Sequence, residues 1–161
     1  MMKFIYLHGF ASGPDSQKAC VFKDRFQKAR QSLSVPDLQE GDFENLTLSK
    51  QVALIQGIID KNPEDSYALI GSSMGGYVAA LTAETRKEIT ALYLMAPGFN
   101  FLNRWVRRLN WDLDSTIPDS IQVYNYRYQK EVTLSTGLFR DAKEWNSLPL
   151  KRQLPVRVVH G

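Results

Sequence analysis

Residues Tyr67–Ala80 read YALIGSSMGGYVAA. Tyr67-Ala68-Leu69-Ile70 is a short apolar run, long enough for a buried strand. Gly71-Ser72-Ser73-Met74-Gly75 spells G-x-S-x-G. Gly76, Tyr77, Val78, Ala79, Ala80, Leu81 and Ala83 then follow in a small-residue pattern that suits a helix. Strand, G-x-S-x-G and helix together make the nucleophile elbow of serine hydrolases. So sharp a turn holds its central residue at unfavourable backbone angles, and Gly71 and Gly75 must clear space beside it. Ser73 is thereby lifted above the sheet edge at a helix N-terminus. The Met74 N–H then points toward an oxyanion formed on any carbonyl that Ser73 attacks. The plainer alternative is a glycine-rich turn without chemistry, since G-x-S-x-G also arises by chance. No G-K-[ST] follows, which excludes a phosphate-cradling P-loop. The glycine spacing also fits G-x-G-x-x-G poorly, against a dinucleotide fingerprint.

Around this stretch, strands alternate with helices. Phe4–Leu7 reads as a buried strand and His8–Pro14 as the loop after it. Ser16 is placed to cap a helix with Ala19, Phe22, Phe26 and Ala29 on its inner face. Leu33–Val35 is a second short strand, ended by Pro36. Gln39–Asn45 reads as a polar loop. Thr47 caps a helix carrying Leu48, Val52, Ile55 and Ile59, stopped at Asn62-Pro63. Ala91–Met95 is a fourth strand and Val156–Val159 a fifth. This alternation implies a parallel sheet with right-handed crossovers. Ligands of such sheets bind outside the carboxyl ends of the strands. His8-Gly9-Phe10, Ser73, Pro97 and His160 all fall there.

Phe99–Trp145 breaks the alternation. Phe101, Leu102, Trp105, Val106 and Leu109 form one apolar stripe, with Arg104, Arg107 and Arg108 around it. Ile121–Arg127 and Glu131–Leu134 suggest a hairpin, and Asp141–Trp145 begins another helix. The segment reads as a cap, residues 99–145, inserted into a single domain over 1–161. A solvated face explains the arginines; attraction of an anionic substrate tail, such as a CoA phosphate, is the alternative. Trp105 and Trp111 are assigned to packing.

Composition sets the bounds. The chain has 161 residues, 43% hydrophobic and 23% charged, enough for one domain with a real core. The net charge of +3 is spread among both signs, so no nucleic-acid partner is expected. Cys20 is the only cysteine, which excludes a disulfide framework and agrees with a reducing cytoplasm. No signal peptide or membrane span is read, and no membrane partner is expected. No His/Asp/Glu cluster has metal-ligand spacing, and no cofactor is expected.

His8-Gly9-Phe10 matches the HG-type oxyanion loop, with the Phe10 N–H as second donor beside Met74. His8 and Gly9 support that loop, His8 as a structural hydrogen-bonder. The general base is less legible. In this fold class the order is serine, acid, histidine. His8 precedes Ser73, and His160 is followed only by Gly161. Asp112, Asp114 and Asp119 lie in the cap and have little support as the acid. Cys20, within a helix and far from either histidine in sequence, reads as an inert thiol.

His8-Gly9-Phe10-Ala11-Ser12, the SQKA stretch Ser16–Ala19, GSSMGGY over Gly71–Tyr77 and Val158-Val159-His160-Gly161 resemble the small bacterial YqiA-like esterases of the α/β-hydrolase superfamily. The resemblance runs through the whole chain in order. It implies a three-layer α/β-hydrolase fold with a mostly parallel sheet. It also implies a serine hydrolase of carboxylic esters or thioesters, with Ser73 as nucleophile and Phe10 and Met74 as the oxyanion hole. The partner implied is a small-molecule acyl ester or thioester. The family's acid follows a final HG loop by a few residues and its base lies further on, so the chain reads as truncated at its C-terminus. Two rival readings stay open. One is a non-catalytic binding protein on a hydrolase scaffold, lacking acid and base. The other is acyl transfer from the same serine to an acceptor other than water.

Overall fold

The computed structural model describes residues 1–161. In chain order the elements are β1 (Met2–Leu7), α1 (Gln17–Lys28), β2 (Leu33–Ser34), α2 (Leu48–Asp60), β3 (Ser66–Ser72) and α3 (Met74–Thr85). Then come β4 (Ile89–Met95), α4 (Phe101–Leu109), β5 (Ser120–Asn125), β6 (Lys130–Ser135), α5 (Gly137–Asn146) and β7 (Val156–Val159). Five strands form one sheet in the order β2-β1-β3-β4-β7, every pair parallel. The chain leaves β1 outward to β2, then returns to β3 on the other side of β1. The loops after β1 and β3 therefore part at the topological switch point, where a crevice opens at the carboxyl edge.

Strand alternation sorts the side chains into layers. Ile5, Leu7 and Leu69 face α2 and α3 in the main core, with Val52, Ile55, Val78 and Leu81. Tyr6 and Ile70 point the other way and meet Ala19, Phe22 and Phe26 of α1. Met74–Ala83 is buried around the whole of α3, which suits its mostly apolar residues; the Thr82 hydroxyl donates to Val78 O (2.7 Å). The N-caps sit where expected: Ala19 N–H donates to Ser16 Oγ (3.4 Å) and Lys50 N–H to Thr47 Oγ1 (3.1 Å). α3 ends without a glycine. Instead the Arg152 guanidinium donates to the carbonyls of Ala83 (2.6 Å) and Ile89 (2.6 Å), tying the segment before β7 to the end of that helix. The β7 valines Val156, Val158 and Val159 are exposed at this edge of the sheet.

Residues 99–145 carry α4, the antiparallel β5–β6 hairpin and α5. Phe101, Leu102, Val123, Leu134, Leu138 and Phe139 belong to the same continuous core as Leu7 and Leu48. Polar anchors reinforce this: Ser49 N–H donates to Asp141 Oδ2 (3.0 Å), Trp145 Nε1–H to Ser49 Oγ (2.8 Å) and Ser135 N–H to Glu44 O (2.8 Å). Two sequence expectations are corrected. α5 begins at Gly137, not Asp141, because Leu138, Phe139 and Ala142 already supply its buried face. Ala29 is exposed and caps α1 instead of lining its inner face. The stretch Gln39–Asn45 is a loop, as the sequence suggests, mostly exposed, with Gln39 and Phe43 turned into the core.

Candidate active site

Ser73 sits between β3 and α3 at φ 53° and ψ −119°, a conformation that costs a non-glycine residue about 1–3 kcal/mol. Its surroundings impose it. Ser73 N–H donates to Met95 O (2.9 Å), and Ser73 O accepts from Gly98 N–H (2.8 Å) and Gly76 N–H (3.0 Å). A Cβ on Gly71 would lie 2.5 Å from Gly75 O and from Gly76 Cα. A Cβ on Gly75 would run into the carbonyl oxygens of Leu7 and His8. Both glycines let α3 start hard against the ends of β3 and β1. Ser73 itself is exposed while Ser72 and Met74 on either side are buried, so the turn presents one hydroxyl.

Two backbone donors stand nearby. Met74 is the first residue of α3, where a helix leaves its N–H without an intrahelical acceptor. Gly98 borders it: a Cβ there would lie in ordinary contact, 3.4 Å, with Met74 N. The second donor, Phe10 N–H, lies in the loop after β1, and no backbone or side-chain acceptor in the chain takes it. Gly9 brings this loop against the elbow: its Cβ would lie 3.5 Å from both Ser73 Cβ and Ser72 O.

His8 is almost fully buried, and its ring is committed on both sides. Leu38 N–H donates to Nε2 (3.0 Å), so Nε2 is the acceptor and the proton sits on Nδ1, 3.0 Å from Gly9 O. Burial pushes the His8 pKa down from 6.5; Gly9 O and Asp37, whose carboxylate is 3.7 Å from Nε2, pull it back up. A neutral ring with both nitrogens engaged is a structural post, as the sequence suggests, and has no lone pair free to serve Ser73.

Ser73 opens into a cavity of about 450 Å³ that Gly9, Phe10, Lys18 and Tyr126 also line. Lys18 is the one charged residue on its wall; its Nζ lies 3.4 Å from Ser72 Oγ, and it has no carboxylate partner. A second cavity of about 560 Å³ lies between α4 and the hairpin, lined by Phe10, Trp105, Ile121, Val123 and Tyr126 among others. Phe10 and Tyr126 belong to both walls, so the two cavities are neighbours. Sequence reading assigns Trp105 to packing alone. It does pack, 5.8 Å from Phe10 and 5.6 Å from Phe139 between ring centres, but it lines this groove too.

No carboxylate or imidazole lines the Ser73 cavity. Asp112 and Asp114 make contacts within the 99–145 segment, Asp114 pairing with Lys143. His160 is exposed, just beyond β7 at the same carboxyl edge as Ser73. Cys20 is exposed, with Sγ 3.5 Å from Asp15 O. No group of three or more His, Cys, Asp or Glu side chains is placed to hold a metal ion. Arg104, Arg107 and Arg108 are exposed on α4. Sequence reading misses Asp37, Gln39 and Arg127, which hold the loop after β1. Nothing local marks them, because their partners are up to 90 residues away.

A parallel sheet in this strand order, with a strained serine between β3 and α3, defines an α/β-hydrolase fold. The chain belongs to the uncharacterised protein family UPF0227, whose family model matches residues 3–161, in agreement with the YqiA-like resemblance. A curated protein of Mycoplasma pneumoniae named "Putative esterase/lipase 2" is 38% identical over 101 residues, covering 58% of this chain and 37% of its own length. The chain thus spans little more than a third of that relative. Est1E of Butyrivibrio proteoclasticus, solved with ferulic acid bound, superposes with a TM-score of 0.79 at 21% identity, over 99% of this chain and 68% of its own. A protein named "Putative hydrolase from Agrobacterium vitis S4" superposes with a TM-score of 0.80 at 19% identity, over 98% and 67% respectively. At such identities these structures speak for the fold alone. No helix is long and apolar enough to cross a membrane.

Proposed function

We propose that the protein is a serine hydrolase of carboxylic esters or thioesters, working through an acyl-enzyme on Ser73. The observation that carries this reading is the exposed Ser73 hydroxyl on a strained turn, beside two backbone donors without competing acceptors. In the proposed reaction Ser73 Oγ attacks the carbonyl carbon. The oxyanion is received by the N–H groups of Phe10 and Met74, the leaving group departs, and water then hydrolyses the acyl-enzyme. A base must take the Ser73 proton. His8 is committed elsewhere, so His160 is the one histidine of these residues left to test for that part.

Residues 99–145 serve in this reading as a cap. The groove shared by Phe10 and Tyr126 receives the apolar part of the substrate, and Lys18 and the α4 arginines favour substrates with a remote negative charge, acyl-CoA among them. The partner is a small acyl ester or thioester, and the single exposed thiol suits a reducing cytoplasm. The rival reading is a non-catalytic binding protein on a hydrolase scaffold.

A fluorophosphonate probe separates the two. The expected result is covalent labelling of the peptide holding Ser73, abolished in Ser73→Ala. Labelling that survives this substitution would refute the nucleophile assignment. No labelling at all would favour the binding protein. Labelling unchanged in His160→Gln would place the base elsewhere.

A further inference from the structure

The loop His8–Ser12 carries the Phe10 N–H, and it is not held by the sheet. Ala11, next to Phe10, has φ 54°, a left-handed conformation that alanine adopts only when its surroundings enforce it. Two clamps from distant parts of the chain do so. The first is the turn of the β5–β6 hairpin: the N–H groups of Tyr126 (2.9 Å) and Arg127 (3.3 Å) both donate to Ala11 O. The second is the segment after β2. Leu38 N–H donates to His8 Nε2 (3.0 Å), and Gln39 Nε2 donates to Ser12 O (2.5 Å). His8, before Phe10, is thus tied to the segment after β2, and Ala11 and Ser12, after it, are tied to the hairpin turn and to that same segment.

Asp37 and Arg127 join these clamps. Arg127 Nη1 donates to Asp37 Oδ2 (2.8 Å), while Asp37 Oδ1 accepts from Gln39 N–H (3.0 Å) and so shapes the turn that presents Leu38 and Gln39. Arg127 also crosses the loop closely. A Cβ on Gly13 would lie 2.7 Å from Arg127 Cδ, and Asp15 Oδ1 is 3.7 Å from Nε. Asn125 Oδ1 fixes the turn itself, accepting from the N–H groups of Arg127 (3.0 Å) and Tyr128 (3.2 Å). As a partly exposed ion pair, Arg127–Asp37 adds little stability by itself. Its consequence is geometric.

We propose that Arg127 is a positioning residue: by pairing with Asp37 it locks the hairpin turn and the 37–39 segment onto the His8–Ser12 loop, and so holds the Phe10 N–H where it meets the oxyanion. This inference rests on the reading of Phe10 as an oxyanion donor. The pair also couples the groove to the chemistry, because the hairpin lining one wall of the groove is the element that grips Ala11. Losing a whole oxyanion donor costs ~10²–10³ in turnover; a loosened donor should cost about 10-fold. The effect should fall on kcat, since the N–H bonds the transition state more strongly than the ground state.

The test uses Arg127→Met, Arg127→Lys and Asp37→Asn, with two readouts. One is kcat and KM for a neutral p-nitrophenyl ester. The other is the Phe10 amide of ¹⁵N-labelled protein, its resonance position and its hydrogen-exchange rate. In Arg127→Met and Asp37→Asn, kcat should fall about 10-fold with KM within about twofold, and the Phe10 amide should shift and exchange faster. Arg127→Lys keeps the charge near Asp37 and should restore both in part. A Phe10 amide unchanged in all three variants would overturn the proposal, leaving Arg127 as a staple for the hairpin. Wild-type protein that turns over no ester would count against the function proposed for Ser73, and the Phe10 amide would still decide the role of Arg127.

Discussion

The strain at Ser73 is made affordable by its glycine neighbours. Gly75 matters most, because the space its side chain would fill is occupied by the backbone of Leu7 and His8, which cannot rotate away. Gly75→Ala is therefore expected to push α3 from the end of β1. It should lower stability by about 1–3 kcal/mol in urea melts and abolish Ser73 labelling. Gly57→Ala is the control. That site in α2 has no atom within 4 Å of the added carbon, so alanine should add roughly 0.5–1 kcal/mol there and leave labelling intact. An equal loss in both variants would show that alanine acts through general helix effects and not through the elbow.

At the scale of elements, α4 combines two faces with different work. Phe101 and Leu102 are buried, Phe101 stacking on Phe139 with ring centres 6.0 Å apart, while Arg104, Arg107 and Arg108 stay in solvent. The stripe of apolar residues is legible in the sequence from its helical spacing. The use of the opposite face is not, because solvated arginines and anion-steering arginines have the same pattern. Reversing all three charges to glutamate should lower kcat/KM for an acyl-CoA by about 10-fold or more at low salt, and for a neutral ester by less than about twofold. The difference should shrink at high salt, within a Debye length of ~3 Å at 1 M. Equal effects on both substrates would assign the arginines to solvation alone.

For the whole molecule, His8 links folding to pH. Burial first, and Arg127 in addition, hold its pKa below 6.5, against Gly9 O and Asp37, which raise it. The unfolded chain therefore binds a proton that the folded chain refuses, and folding stability must rise with pH across that window. The contribution is complete above about pH 6.5 and is lost as pH falls below it, by at most ~1.4 kcal/mol per pH unit. Urea melts at pH 8, 6.5 and 5.5 should show this slope in wild type and a flatter one in His8→Asn; parallel slopes would remove His8 as its source. Periodicity and turn chemistry in the sequence by themselves determined the βα alternation, the parallel sheet, the helix caps and the elbow at Ser73. These are local: a strand needs its apolar run, and the turn needs glycine at two fixed positions. Only the tertiary structure decided that Gln39 and Phe43 are buried, that α5 starts at Gly137, and that Asp37, Leu38 and Arg127 hold the loop of Phe10. Those outcomes depend on which segments meet after folding, and a pair such as Arg127 and Asp37, 90 residues apart, leaves no periodic trace in the chain.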